Sequence, residues 1–216
     1  MDLYKVRLKQ DEKVSKIGYD KIHNDIGDGT VDFYEETIKS KSIYKGNVTE
    51  YVIEDVKLPN GEMSQREIVR HAEASAVIPF TDSDEIVLVK QYRKAIDQVS
   101  IEIPAGIKDD TDSDGLFTAK RELEEETDYN AKTWTFVTSF YSTPGFTDEF
   151  LEIYEARDLF LVEDSLAQDD DENVEVIIAT FDEAWELYEQ GLLRDSKTVF
   201  ALFYWKLKRL ENKLGE

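Results

Sequence analysis

Apolar positions along this chain follow two periods, and the change from one to the other outlines the fold. From Tyr44 to Lys57 and from Ser64 to Arg70 the residues are rich in valine, isoleucine and tyrosine, and the intervening Leu58-Pro59-Asn60-Gly61 carries an Asn-Gly turn signal. This predicts a β-hairpin. Ala74 to Phe80 and Ile86 to Tyr92 are nearly continuous apolar runs joined by Thr81-Asp82-Ser83-Asp84, which predicts a second hairpin. Ile101 to Pro104 reads as a short strand ended by Ala105-Gly106. The period then lengthens: Leu116, Ala119 and Leu123 share one face of a helix expected over Gly115 to Thr127, with Ser113 or Asp114 as its cap and Asp128 just past its end. Strands are expected again at Thr135–Tyr141, Phe150–Ala156 and Val174–Ala179. Two helices close the pattern, Phe181–Gln190 stopped by Gly191, and Lys197–Leu210 with an apolar stripe of Phe200, Phe203 and Tyr204. These elements predict a helix-on-mixed-sheet protein of the α/β (α+β) class.

Residues 1–33 do not fit this pattern. Lys5 to Tyr19 alternates charges with single apolar residues, and Gly27-Asp28-Gly29 would break any regular element, so this stretch is expected to be an appendage. Residues 34–72 form an N-terminal β-strand region, and 73–210 are expected to be the catalytic domain. The N-terminus is interrupted by charge throughout and no apolar run is long enough to span a bilayer, which leads to the expectation of a cytoplasmic protein without a membrane partner.

The chain has 216 residues and a formal net charge of −22. That charge argues against a nucleic-acid partner, because backbone recognition needs a basic footprint. It is also uneven: residues 1–100 carry 15 basic and 19 acidic side chains, and residues 101–216 carry 11 and 29. There is no cysteine, which excludes disulfides, thiolate nucleophiles and thiolate-ligated zinc, and two histidines are too few for a histidine-rich metal site.

Within the acidic half, Arg121-Glu122-Leu123-Glu124-Glu125-Glu126-Thr127-Asp128-Tyr129 concentrates carboxylates on one helical face. Residues three and four apart are neighbours on a helix, so Glu122 meets Glu125 and Glu126 while Glu124 points elsewhere, toward solvent. Like charges at this spacing cost roughly 0.2–0.5 kcal/mol per pair. A solvated glutamate-rich face is the ordinary explanation of such a run. A hard divalent cation, which takes carboxylate and phosphate oxygens, is the chemical alternative.

The order Ile103-Pro104-Ala105-Gly106, a loop, Arg121-Glu122-Leu123-Glu124-Glu125-Glu126 and Tyr129 resembles the signature of the Nudix hydrolases. Ser142-Thr143-Pro144-Gly145-Phe146-Thr147-Asp148-Glu149, together with Glu36-Thr37-Ile38, Val89-Lys90-Gln91-Tyr92-Arg93 and Asp195-Ser196-Lys197-Thr198, is similar to the ADP-ribose pyrophosphatase branch. The resemblance runs from about residue 34 to about residue 205. It implies a Nudix α/β/α sandwich with a mixed sheet plus an N-terminal β-rich subdomain, and hydrolysis of the diphosphate of ADP-ribose to AMP and ribose 5-phosphate. It further implies a magnesium cofactor, or manganese in its place, and a homodimer whose N-terminal strands cross between subunits. The metal ligands implied are Glu122, Glu126 and the Ala105 carbonyl, with Glu125 assisting. Arg121 is expected to pair with the carboxylates, and Glu172, in the acidic tract before Val174, to take the proton from the attacking water. Arg66 and Arg93 are expected to contact substrate, Pro144, Gly145 and Phe146 to shape the nucleotide pocket, and Glu149 to lie near the metal. Glu102 accepts from an adenine or ribose, or belongs to a structural ion pair. Phe33 and Tyr34 either stack a base across a dimer or seal a core.

Two positions depart from the family pattern. Asp128 stands where the signature has glycine, at a helix end whose left-handed conformation aspartate tolerates better than most residues. The loop before Arg121 places Ser113 where a glutamate is usual, with Asp112 or Asp114 as replacements. A UDP- or GDP-sugar diphosphatase is the nearest alternative activity, and a nucleotide-binding sensor without turnover is the alternative of another class.

Overall fold

The structure, a computed structural model, describes residues 33–163, 165–166 and 173–214. The appendage at residues 1–32 and Glu172 lie outside them. Ten strands and three helices are described. β1 (Glu36–Lys45), β2 (Thr49–Lys57) and β3 (Met63–His71) form an antiparallel meander. β4 (Ala74–Pro79), β7 (Ala105–Ile107), β8 (Tyr129–Tyr141) and β9 (Phe150–Leu161) form a mixed sheet in the order β7-β4-β9-β8, where β4 and β9 are the parallel pair. β5 (Ile86–Arg93), β6 (Gln98–Glu102) and β10 (Glu175–Ala179) form a third, antiparallel sheet. The helices are α1 (Gly115–Thr127), α2 (Phe181–Glu189) and α3 (Ser196–Leu214).

Every residue of β4 is buried, and its period of two divides them between two cores. Ala74, Ala76 and Ile78 join Leu202 and Trp205 of α3 and Ala184 of α2 in the larger core, whereas Val77 faces Ala119 and Leu123 of α1 in the smaller one. Helices therefore cover β4 from both sides, giving the α/β/α layering expected.

Two strand assignments are corrected. The runs at Ala74–Phe80 and Ile86–Tyr92 do not zip into a hairpin: beyond a single bridge between Phe80 and Ile86 they enter different sheets, β4 taking β7 and β9 on its two edges and β5 taking β6 and β10. Ala105-Gly106 does not end a strand; it belongs to β7, which pairs with Ala74–Ala76. The first hairpin has its turn at Asn60-Gly61, but the run assigned to its first arm is broken at Gly46, and β1 before it is exposed along its whole length.

β7 brings the Pro104-Ala105-Gly106 backbone over the helix. Val77 N–H donates to the Pro104 carbonyl at 2.8 Å, and Ala105 N–H donates to Glu126 Oε2 at 3.0 Å. At the opposite end of the core, Glu155 is buried and accepts from Arg157, Tyr204 and Lys208, which ties α3 to β9.

Candidate active site

α1 begins and ends as its sequence dictates. Asp114 caps it, accepting from Phe117 N–H at 2.9 Å, and Asp128 ends it in the left-handed region at φ 59°, donating its N–H to the Glu124 carbonyl. With Asp114 occupied as the cap, the work at the loop's centre falls to Asp112, which is buried and accepts from Arg121 through both oxygens. Thr118 Oγ1 and Asp109 N–H also donate to Asp112. Burial pushes the Asp112 carboxyl upward, but the Arg121 hydrogen bond and these donors outweigh it and hold the group below the usual carboxylate range.

Arg121 ties this loop to the acidic face. Its Nη1 lies 2.7 Å from both Glu122 Oε1 and Glu125 Oε2, and its Nη2 donates to Asp112 and the Ile107 carbonyl. Burial opposes the guanidinium charge, but Asp112, Glu122 and Glu125 outweigh that penalty and fix the cation. The guanidinium thus offsets the repulsion between the carboxylates and sets where Glu122 and Glu125 point. Replacing Asp112 with asparagine is expected to lower turnover by about tenfold to a hundredfold, the usual effect of losing a group that orients a metal ligand, and to lower the thermal midpoint as well, because Arg121 loses its buried counter-charge. Steady-state kinetics beside a melting curve check it.

Glu122 and Glu126 are buried, and Glu125 is half-buried. A β-carbon added to Gly106 would lie 2.0 Å from the Glu122 carboxylate, so the space that this carboxylate fills exists because residue 106 has no side chain. Glu124 is not a solvated bystander: it accepts from Asn130 Nδ2 at 3.0 Å and fastens the helix end to the start of β8.

The donors gathered here are carboxylate and backbone oxygens, the set preferred by magnesium and manganese over softer metals. In the arrangement described, Glu122 and Glu125 answer to Arg121, and no three metal-ligating side chains among the described residues close around one point. The residues fit a hard cation by donor chemistry and by the Gly106 cradle.

A cleft of about 1260 Å³ opens beside this face. Ala105, Gly106, Arg121, Glu122 and Glu125 line one part of it, Arg93, Gln98, Ser100 and Glu102 of β5 and β6 another, and Arg194, Asp195 and Lys197 before and within α3 a third. His71 and Glu149 also line it, and Ser142 Oγ donates to Glu149. Glu102 is 2% exposed, and both of its oxygens are taken: Arg93 donates to them at 2.9 and 2.8 Å and Lys197 at 2.5 Å. The structural ion pair is therefore its observed state. Burial alone would raise the Glu102 carboxyl, but Arg93 and Lys197 overcome that and bring it down to about 2.

This depression gives folding a pH dependence of definite sign. The carboxyl is lowered from an ordinary value of 4.5, so the stability it contributes is complete above that value and is lost as pH falls through 4.5 toward 2. Urea midpoints between about pH 2.5 and 6 are expected to fall steeply for the native chain and less steeply for Glu102→Gln.

Some residues expected at the site lie elsewhere. Arg66 is outside the cleft of its own chain, on β3, where its guanidinium holds Glu35 at 2.8 and 2.5 Å. Pro144, Gly145 and Phe146 are not part of the cleft wall either. Their turn is drawn onto β3 by a hydrogen bond from Val69 N–H to the Phe146 carbonyl, and Phe146 is exposed. Phe33 and Tyr34 are exposed and seal no core. Conversely, Gln98, Ser100, Asp195, Lys197 and His71 line the cleft although only Asp195-Ser196-Lys197-Thr198 carried a signal in the sequence. That signal has a local cause: Asp195 accepts from the backbone and hydroxyl of Thr198, whose Oγ1 in turn accepts from Ile103 N–H.

Residues 69–202 match the NUDIX domain. The chain belongs to the Nudix family. Among its relatives, the ADP-ribose pyrophosphatase of Bacillus subtilis is 44% identical over 174 residues, covering 81% of this chain and 94% of that protein. A protein named methanol dehydrogenase activator, from Bacillus methanolicus, is also 44% identical, over 82% of this chain and 95% of its own length. Among solved structures, that of an ADP compounds hydrolase superposes with a TM-score of 0.74, covering 86% of this chain and 98% of that chain at 21% identity, a likeness of fold. The chain is a Nudix hydrolase of the ADP-ribose pyrophosphatase branch.

Proposed function

We propose that the protein hydrolyses the diphosphate bond of ADP-ribose, giving AMP and ribose 5-phosphate, with magnesium, or manganese in its place, as the cofactor. The observation that carries this reading is the acidic face of α1, held by Arg121 at the edge of a cleft large enough for a nucleotide sugar. Glu122, Glu126 and the Ala105 carbonyl would hold the metal, with Glu125 beside them. When bound, the metal would neutralise the diphosphate and lower the pKa of the attacking water. The chain's own contribution is positioning: Asp112 fixes Arg121, Arg121 fixes two of the carboxylates, and Glu126 is fixed by Ala105 N–H. Glu172 is proposed as the proton acceptor.

The exposed apolar residues Ile38, Ile43, Tyr44 and Met63 on the N-terminal meander support a homodimer through residues 34–72, which would bring Arg66 to a partner's cleft. The relative named for activating another enzyme supports a second reading, a nucleotide-dependent regulator. One experiment separates the readings: the purified protein with magnesium is given ADP-ribose, GDP-mannose and UDP-glucose, and kcat/KM is compared. The highest value is expected for ADP-ribose. Preference for another compound overturns the substrate, and binding without turnover favours the regulator.

A further inference from the structure

The cations lining the cleft are not equivalent. Arg93 and Lys197 are spent on Glu102, and Arg121 on Asp112, Glu122 and Glu125. Among the described residues, Arg194 is the one lysine or arginine of the cleft not engaged with a carboxylate.

Its place is nonetheless set by the chain. The loop between α2 and α3 is anchored by the N–H groups of Leu192 and Leu193, which donate to the Leu187 carbonyl, and by the Leu193 side chain, which is buried in the core. On the other side Asp195 is committed to Thr198. Gly191, at φ +71°, leaves its bare face under the arginine: a β-carbon there would lie 2.9 Å from Arg194 Nη2 and 3.3 Å from its Nε. The guanidinium thus packs over a glycine at the cleft wall instead of pairing with an acid.

We propose that Arg194 is a specificity-determining residue that receives a phosphoryl oxygen of the substrate. Charge and shape both favour it. A nucleoside diphosphate sugar brings an anionic diphosphate into a cleft also lined by Asp109, Glu122, Glu125 and Glu149, and the remaining cations are already neutralised. A guanidinium offers a planar pair of donors that match phosphate oxygens. Arg194 does no chemistry on the reacting atoms; it supplies affinity and discriminates against uncharged glycosides. This role for Arg194 rests on the proposed diphosphatase activity.

The test compares the full-length native chain with Arg194→Gln and Arg194→Lys. For Arg194→Gln, KM for ADP-ribose is expected to rise about tenfold, the ordinary worth of one charge-assisted contact, while kcat stays within about twofold. Arg194→Lys, which keeps the charge, is expected to recover part of that loss. Calorimetric binding of ADP-ribose in EDTA is expected to weaken by a similar factor, because the contact of the arginine with a phosphoryl oxygen does not pass through the metal. Rising ionic strength should narrow the gap between the native chain and Arg194→Gln. Native-like KM and affinity in Arg194→Gln, in a background where the native chain hydrolyses ADP-ribose, overturn the role of Arg194 alone. A native chain that neither binds nor hydrolyses any nucleoside-diphosphate compound overturns the proposed activity and the role of Arg194 with it.

Discussion

Glu126→Gln is expected to lose at least about a thousandfold in kcat, since the electrostatic stabilisation supplied by a metal is worth several kcal/mol and each 1.36 kcal/mol is about tenfold in rate. The fold should survive. Glu126 is 2% exposed, and the hydrogen bond it accepts from Ala105 N–H is one that the glutamine carbonyl oxygen can still accept. The substitution removes a charge and little volume. An unchanged circular dichroism spectrum and thermal midpoint, together with retained ADP-ribose binding, would place the loss in chemistry. A variant that keeps native turnover would remove Glu126 from the proposed ligand set.

The second large effect is on stability. Glu102→Ala is expected to destabilise the protein by about 1–3 kcal/mol, because it strips Arg93 of its two-pronged acceptor and leaves Lys197 with Asp195 alone, at 3.1 Å. The same carboxylate joins β6 to the N-terminus of α3 through Lys197, so the loss should be read as a lowered denaturant midpoint with the α2–α3 region opening first. Hydrogen exchange resolved by peptide would locate it. A double substitution of Glu102 and Lys197 by apolar residues of similar size should recover part of the stability, since it removes an unpaired charge along with its partner. If Glu102→Ala is as stable as the native chain, the buried ion pair has no structural role.

What the sequence disclosed depended on how local the cause was. The bounds of α1 were legible because its apolar face, its left-handed terminator and a cap narrowed to Ser113 or Asp114 all lie in one short stretch, and Asp128 takes the conformation that its position demands. The loop before Arg121 was legible in its composition but not in its assignment. Asp112 and Asp114 are interchangeable in a linear pattern, and only the fold shows one capping a helix and the other gripping an arginine.

Strand pairing was less visible. Turn chemistry at Thr81–Asp84 announces a reversal, yet it does not say whether the flanking strands pair with each other or with more distant partners, and here the distant partners win. The start of the N-terminal meander gave almost no signal, since a strand exposed on both faces has no apolar alternation to detect. The site showed the same division. Glu122, Glu125 and Glu126 stood out as one helical face, whereas the Glu102–Arg93–Lys197 cluster joins residues 95 positions apart and has no linear signature. Arg66 and the Pro144 turn show the converse: a motif places residues near a site in sequence terms without fixing which way the chain carries them.

The central claim, that the carboxylate face of α1 is the metal site of an ADP-ribose hydrolase, is tested most directly by titrating magnesium into the EDTA-treated protein with ADP-ribose and separating the products. No turnover is expected without metal, and with it AMP and ribose 5-phosphate should be released in equal amounts. Turnover that continues undiminished in EDTA, or ADP-ribose left intact at saturating magnesium, would contradict the claim.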